Sequence, residues 1–208
     1  MPASCPAALL AALAVLAPPP EAPPPAKQSI ESTRAPETRA DFLPRSALIE
    51  VDGQVRGRGF VKLDLGDGKR TFRLKVSAEG YQTEEVVVEA ARVVDRQYVL
   101  ALRPAGFDRK VDPRDAASMA MAASALWRAG RVDDAADYAE ESMRTGNTAL
   151  ANRVLGDVWR KRGDRDQAVK YYAMYLSLMD DPPDGPEIKA WLMKDRPGDI
   201  VIPAEEGR

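Results

Sequence analysis

Residues 123–172 read ASALWRAGRVDDAADYAEESMRTGNTALANRVLGDVWRKRGDRDQAVKYY, and the spacing within this stretch decides the fold. Gly130 and Gly163 stand 33 positions apart, and Ala135 and Ala168 repeat that offset. Apolar residues between them recur at helical spacing. Leu126 and Trp127 end one stripe; Ala135, Ala139 and Met143 form a second. Ala151, Val154, Leu155, Val158 and Trp159 form a third, and Ala168, Tyr172, Tyr175, Leu176 and Met179 a fourth. A period of 3.6 predicts amphipathic helices. Gly130, Gly146-Asn147 and Gly163 are stop signals, because glycine and asparagine tolerate the left-handed conformation that closes a helix. Asp133-Asp134 and Asp164 are start signals, acids placed at the positive end of the helix dipole. A helix pair that returns after 33 residues is a hairpin repeat.

The pattern extends in both directions. Upstream, Asp112-Pro113 with Asp115 predicts a helix start, and Ala116, Met119, Ala120 and Ala123 share one face. Downstream of Asp180-Asp181-Pro182-Pro183, the spacing of Ile188, Trp191 and Leu192 predicts a short last helix that caps the array, ended by Pro197. The helical domain is therefore read as residues 112–195, with a tail at 196–208.

Before residue 112 the period changes to two. Val61, Leu63 and Leu65 alternate with Lys62 and Asp64, and Phe72, Leu74 and Val76 with Arg73 and Lys75. Ile49 and Val51, Val86 and Val88, and Tyr98, Leu100 and Leu102 do the same. Alternation predicts half-buried strands. Asp52-Gly53, Gly66-Asp67-Gly68 and Glu79-Gly80 supply the turns. Five strands over residues 46–104 predict a small antiparallel β-sandwich. The fold class is thus α+β in two domains, each with its own modest core.

Residues 18–45 hold eight of the 17 prolines and read as an extended linker. Residues 6–17, PAALLAALAVLA, have the length and apolarity of a secretory leader and are too short for a membrane span. The expectation is an exported, periplasmic or envelope protein, with residues 1–17 as leader; membrane contact would come only through an uncleaved leader. The alternative is a cytoplasmic scaffold or an accessory subunit of a signalling or secretion complex.

Composition excludes several chemistries. The chain of 208 residues has no histidine and one cysteine, Cys5. This removes histidine-based general acid–base catalysis, histidine metal sites, internal disulfides and CxxC sites. With 30 basic against 32 acidic residues, nothing in the balance points to nucleic acid. Gly53, Gly57 and Gly59 lie between strands, whereas a phosphate cradle needs a strand leading into a helix. Asp180, Asp181, Asp184 and Glu187 lack the spacing of a calcium loop and read as a solvated segment. The expectation is a non-enzyme with no cofactor and no metal.

Two resemblances refine this. Leu155-Gly156, Trp159, Gly163, Ala168 and Tyr172 stand at the consensus spacing of tetratricopeptide repeats. The preceding unit matches through Ala122-Ala123, Leu126, Gly130 and Ala135, but has Ala139 where a large aromatic is usual. Val51-Asp52-Gly53, Thr71-Phe72-Arg73-Leu74-Lys75-Val76 and Glu79-Gly80-Tyr81 resemble the PEGA domain, a β-rich module of bacterial surface and envelope proteins. Its usual Gly-x-Ser/Thr-Pro turn is replaced by Gly57-Arg58-Gly59-Phe60. The first helix of each repeat would line a groove bearing Ser124, Trp127 and Arg128 from one unit and Arg153, Asp157, Arg160 and Lys161 from the next. Four cations and one acid suit an acidic or carboxylate-bearing peptide. The implied partner is a protein, or a second copy of the chain, because two repeats and a cap are few for a free-standing array.

Overall fold

The computed structural model describes residues 37–66, 69–92 and 97–194, and these belong to one compact unit. The leader, most of the proline-rich stretch and the tail lie outside the described residues.

The β part has seven strands: β1 (Glu37–Leu43), β2 (Leu48–Val51), β3 (Gln54–Arg58), β4 (Phe60–Asp64), β5 (Thr71–Ser77), β6 (Glu84–Glu89) and β7 (Gln97–Ala101). They form two sheets, one ordered β3-β2-β5-β6 and the other β4-β1-β7. The alternating residues point inward as the period requires: Ile49 and Val51, Val61 and Leu63, and Phe72, Leu74 and Val76 are all buried.

Three expectations are corrected. Residues 37–43, read as linker, are β1, the central strand of the second sheet. Thr38, Ala40 and Phe42 face inward there, but two of the three are small or polar, so the alternation is faint. The sheet is also not wholly antiparallel: β1 pairs antiparallel with β4 and parallel with β7. The long chain between β1 and β7 makes a parallel pairing possible where a hairpin could not. Finally, Gly57-Arg58-Gly59 is not a turn. β3 runs through it almost without exposing a pattern, and the chain changes sheets at Gly59. Gly59 has φ of 72° and is clamped on both sides, its N–H donating to Ala47 O (3.0 Å) and its carbonyl accepting from Phe42 N (2.7 Å). A Cβ there would sit 2.4 Å from the Arg45 carbonyl oxygen, so this corner requires glycine.

The helical part has α1 (Ala116–Arg128), α2 (Val132–Thr145), α3 (Ala149–Arg162), α4 (Arg165–Leu178) and α5 (Gly185–Met193). The first helix starts later than Asp112: Asp112 organises a turn, and the Asp115 carboxylate accepts from Ala117 N at 3.0 Å as the cap. Thr148 and Asp164 cap α3 and α4 in the same way. Gly130 and Gly163 follow α1 and α3 with φ of 78° and 79°. Met179, read as the end of the α4 stripe, lies just past the helix and is exposed.

The described structure is thus an α+β arrangement of two sheets followed by five helices. It does not have two separate cores. Buried residues of both sheets and of α1, α2 and α3 form one continuous cluster, while a smaller cluster of Ala168, Tyr172, Tyr175, Ile188 and Leu192 joins α4 to α5.

Candidate protein-docking face

Tyr138 fixes the helices to the sheets. Its side chain is fully buried. The hydroxyl donates to Leu102 O at 2.5 Å, with Leu43 O 3.2 Å away. Leu43 O also accepts from Leu102 N, so the phenol closes the end of the β1–β7 ladder. The ring stacks on Tyr81 at 6.2 Å and 17°, and Arg131 stands 4.4 Å from the Tyr81 ring centre while pairing with Asp134. Burial pushes both phenols well above their ordinary range. Beside this contact, Arg45 N donates to Asp137 at 2.9 Å and the Arg45 guanidinium pairs with Glu140 at 2.8 Å. Burial pushes the carboxyls of Asp137 and Glu141 up, against the pull of Arg45 and Arg144 respectively.

The seven residues predicted to share a groove fall into three groups. Arg153, Asp157 and Arg160 face α4 and α5. Arg153 makes ion-pair contacts with both Asp157 and Asp184. Tyr172 OH donates to Asp157 and Tyr175 OH to Asp184, each at 2.7 Å. Arg160 reaches Glu187 at 3.9 Å and stands 5.2 Å from the Trp191 ring centre. Burial would pull the Arg153 guanidinium down, but its bonds to Asp157 and Asp184 outweigh it and hold it up. Asp184 is held below the usual carboxylate range because the Arg153 and Tyr175 bonds outweigh its burial; the Tyr175 phenol is pushed up to about 12, first by burial and then by Asp184. These residues form a latch that seats α5. The groove of four cations and one acid is therefore corrected: Asp184 and Glu187, read as a solvated loop, bring two more carboxylates to it.

The second group is Trp127 and Lys161, which meet each other with the ammonium 5.5 Å from the indole centre. The third is Ser124 and Arg128. They border a cleft of about 400 Å³ whose other side-chain walls include Phe107, Asp108, Arg109, Met121 and Leu150. Arg128 Nε makes only a 3.4 Å contact to Ser124 O, and Arg109 a 3.5 Å contact to Met121 sulfur. Among the described residues no carboxylate pairs with Arg109, Arg128 or Lys161. Phe107 and Arg109 come from the connector between sheet and helix, which has no periodicity to mark it. Leu150 carried a signal, as a large apolar residue off the α3 stripe, and is 37% exposed.

A larger cleft of about 920 Å³ lies between the outer face of the β4-β1-β7 sheet and α2. Three of its four arginines are paired with carboxylates, Arg39 with Asp41, Arg45 with Asp137 and Glu140, and Arg144 with Glu141, while Arg58 donates to Ser46 O at 2.8 Å. In the α1–α3 cleft neither Arg109 nor Arg128 pairs with a carboxylate among the described residues, although Asp108 also lines it, whereas three of the four arginines of the larger cleft are paired, and this difference favours the α1–α3 face. Among the described residues no group of three or more histidine, cysteine or acidic side chains could hold a metal ion.

No family model matches this chain, and no curated protein matches it.

Proposed function

We propose that this chain is a non-enzymatic interaction module of the bacterial envelope, and that it docks an acidic segment of a partner protein on the face formed by α1 and α3. The observation that carries the reading is the trio Arg109, Arg128 and Lys161, without ion-pair partners among the described residues, beside a cleft walled by Phe107, Met121 and Leu150. Charge steers and orients such a partner, and the apolar floor supplies the area that holds it.

The helical part is read as two tetratricopeptide-type hairpins with a capping helix. Supporting this are the shared 33-residue frame, the left-handed glycines that end both first helices, and the close approach of Gly156 to Tyr172. The β part is read as PEGA-like on the residues that carry that resemblance. Export rests on the apolar run at 6–17; no helix among the described residues is long and apolar enough to cross a membrane.

Crosslinking and mass spectrometry in the native cell tests the docking face. Partner crosslinks are expected on the α1–α3 face and are expected to fall at least tenfold in the Arg128→Glu, Lys161→Glu double variant. Equal capture by that variant would contradict the reading. An alkaline phosphatase fusion after Lys27 is expected to be active; an inactive fusion would favour a cytoplasmic scaffold.

A further inference from the structure

Resting on that reading of the α1–α3 face, we propose that the chain carries its own competitor for the cleft: residues 199–206, which follow α5. Residues 195–208 read DRPGDIVIPAEEGR. Within them an apolar triplet, Ile200-Val201-Ile202, is flanked by Asp199 on one side and Glu205-Glu206 on the other. Asp108 is the one carboxylate in the lining, and among the described residues no ion pair joins it to Arg109, Arg128 or the neighbouring Lys161; the segment offers these cations three carboxylates, and the floor of Phe107, Met121 and Leu150 branched apolar side chains.

The end of α5 lies on the right side of the molecule for this. Leu192 O accepts from Arg165 at 3.0 Å. Arg165 opens α4 directly after α3, and Lys161, in the last turn of α3, meets Trp127 beside Arg128 at the end of α1. The path from α5 to the cleft therefore crosses two helix spacings, roughly 20 Å at 8–10 Å each. From Lys194, an extended chain reaches about 16–18 Å by Asp199 and about 40 Å by Glu206. The apolar triplet and the glutamate pair can thus be laid across the face. Tethering raises the effective concentration of such a segment to the millimolar range, so a weak contact suffices to occupy the cleft and set a threshold for an external partner.

The test uses the full chain. Zero-length carbodiimide coupling, read by mass spectrometry on the monomer fraction, is expected to join Lys161 to Glu205, Glu206 or Asp199. The Glu205→Lys, Glu206→Lys variant, whose helicity is checked by circular dichroism, is expected to lose that link. It is also expected to raise the acetylation rate of Lys161 at least threefold and to raise partner capture severalfold. Absence of the link, an unchanged Lys161 rate in the variant, or a link found only in crosslinked dimers would overturn the inference. Partner capture on the α1–α3 face with an unprotected Lys161 would sink this inference and leave the docking reading standing. A protected, tail-linked Lys161 without partner capture in either chain would do the reverse.

Discussion

The two helical hairpins share one frame and differ by the displacement of one aromatic residue. In α3–α4, Tyr172 stands at the crossing, so close to α3 that a Cβ on Gly156 would lie 2.4 Å from the ring. In α1–α2 the positions 33 residues earlier are Ala139 and Ala123, a small residue on each side. The buried aromatic is instead Tyr138, one residue before Ala139 and so turned by about 100° around the helix. That rotation takes the ring out of the hairpin and into the sheets. The second hairpin spends its aromatic on internal packing and seats α5; the first spends it on the β part. The comparison teaches that one position in a repeat decides whether the unit packs on its successor alone or welds itself to a different fold.

The largest effect that would break this contrast is Tyr138→Ala, expected to cost about 3–5 kcal/mol as a buried aromatic truncation. Chemical denaturation would show the loss, and hydrogen exchange would place it on β1, β7 and α2, with α4 and α5 protected nearly as before. At the other crossing, Gly156→Ala is expected to cost about 1–3 kcal/mol by overpacking against Tyr172, whereas Ala123→Gly in the first hairpin is expected to cost about 1 kcal/mol, the helix propensity difference. Equal costs at both sites would erase the distinction. Tyr138→Phe keeps the ring and removes the donor to Leu102 O, for an expected loss of about 1–2 kcal/mol.

The smallest effect is a contrast in pH response. Asp184 is held below its ordinary value, so its contribution to seating α5 is full above the unfolded aspartate range and is lost as pH falls through the depressed value. Asp137 and Glu141 are pushed up, so their contribution at the joint is full below the unfolded carboxylate range and is lost as pH rises through the raised values. Acidification from neutrality to about pH 4, the ordinary carboxylate range, is expected to tighten the β1–α2 joint. Only below that range is α5 expected to loosen. Exchange rates corrected for intrinsic chemistry check this, and Asp184→Asn is expected to remove the α5 response.

Much of the helical part was legible because it obeys a single period. Apolar stripes mark the helices, side-chain caps start α1, α3 and α4, and Gly130 and Gly163 are conformational requirements that only a few residues meet. The strands β4 and β5 were legible for the same reason. β1 and β3 were not: Thr38 and Ala40 give β1 too little hydrophobic contrast, and β3 is an edge strand with almost no buried residue. Tyr138 gives no local signal because it sits beside the small-residue stripe of α2, and only the sheets explain its burial. The groove was half legible. Helical spacing brings Ser124 to Arg128 and the repeat frame sets Trp127 of α1 beside Lys161 of α3, but no local pattern says that Asp184 would return to claim Arg153, or that Phe107 and Arg109 would fold over α1.

Tyr138 makes one cooperative structure from two kinds of architecture. All three tryptophans, Trp127, Trp159 and Trp191, lie in the helical part. Their fluorescence therefore follows the helices, while amide exchange of β5 follows the sheets. The measurement is urea unfolding read by both probes in the parent chain and in Tyr138→Ala. Coincident transitions are expected in the parent and separated ones in the variant, the helices outlasting the sheets or the reverse. Separate transitions in the parent, or coincident ones in Tyr138→Ala, would contradict this role of Tyr138.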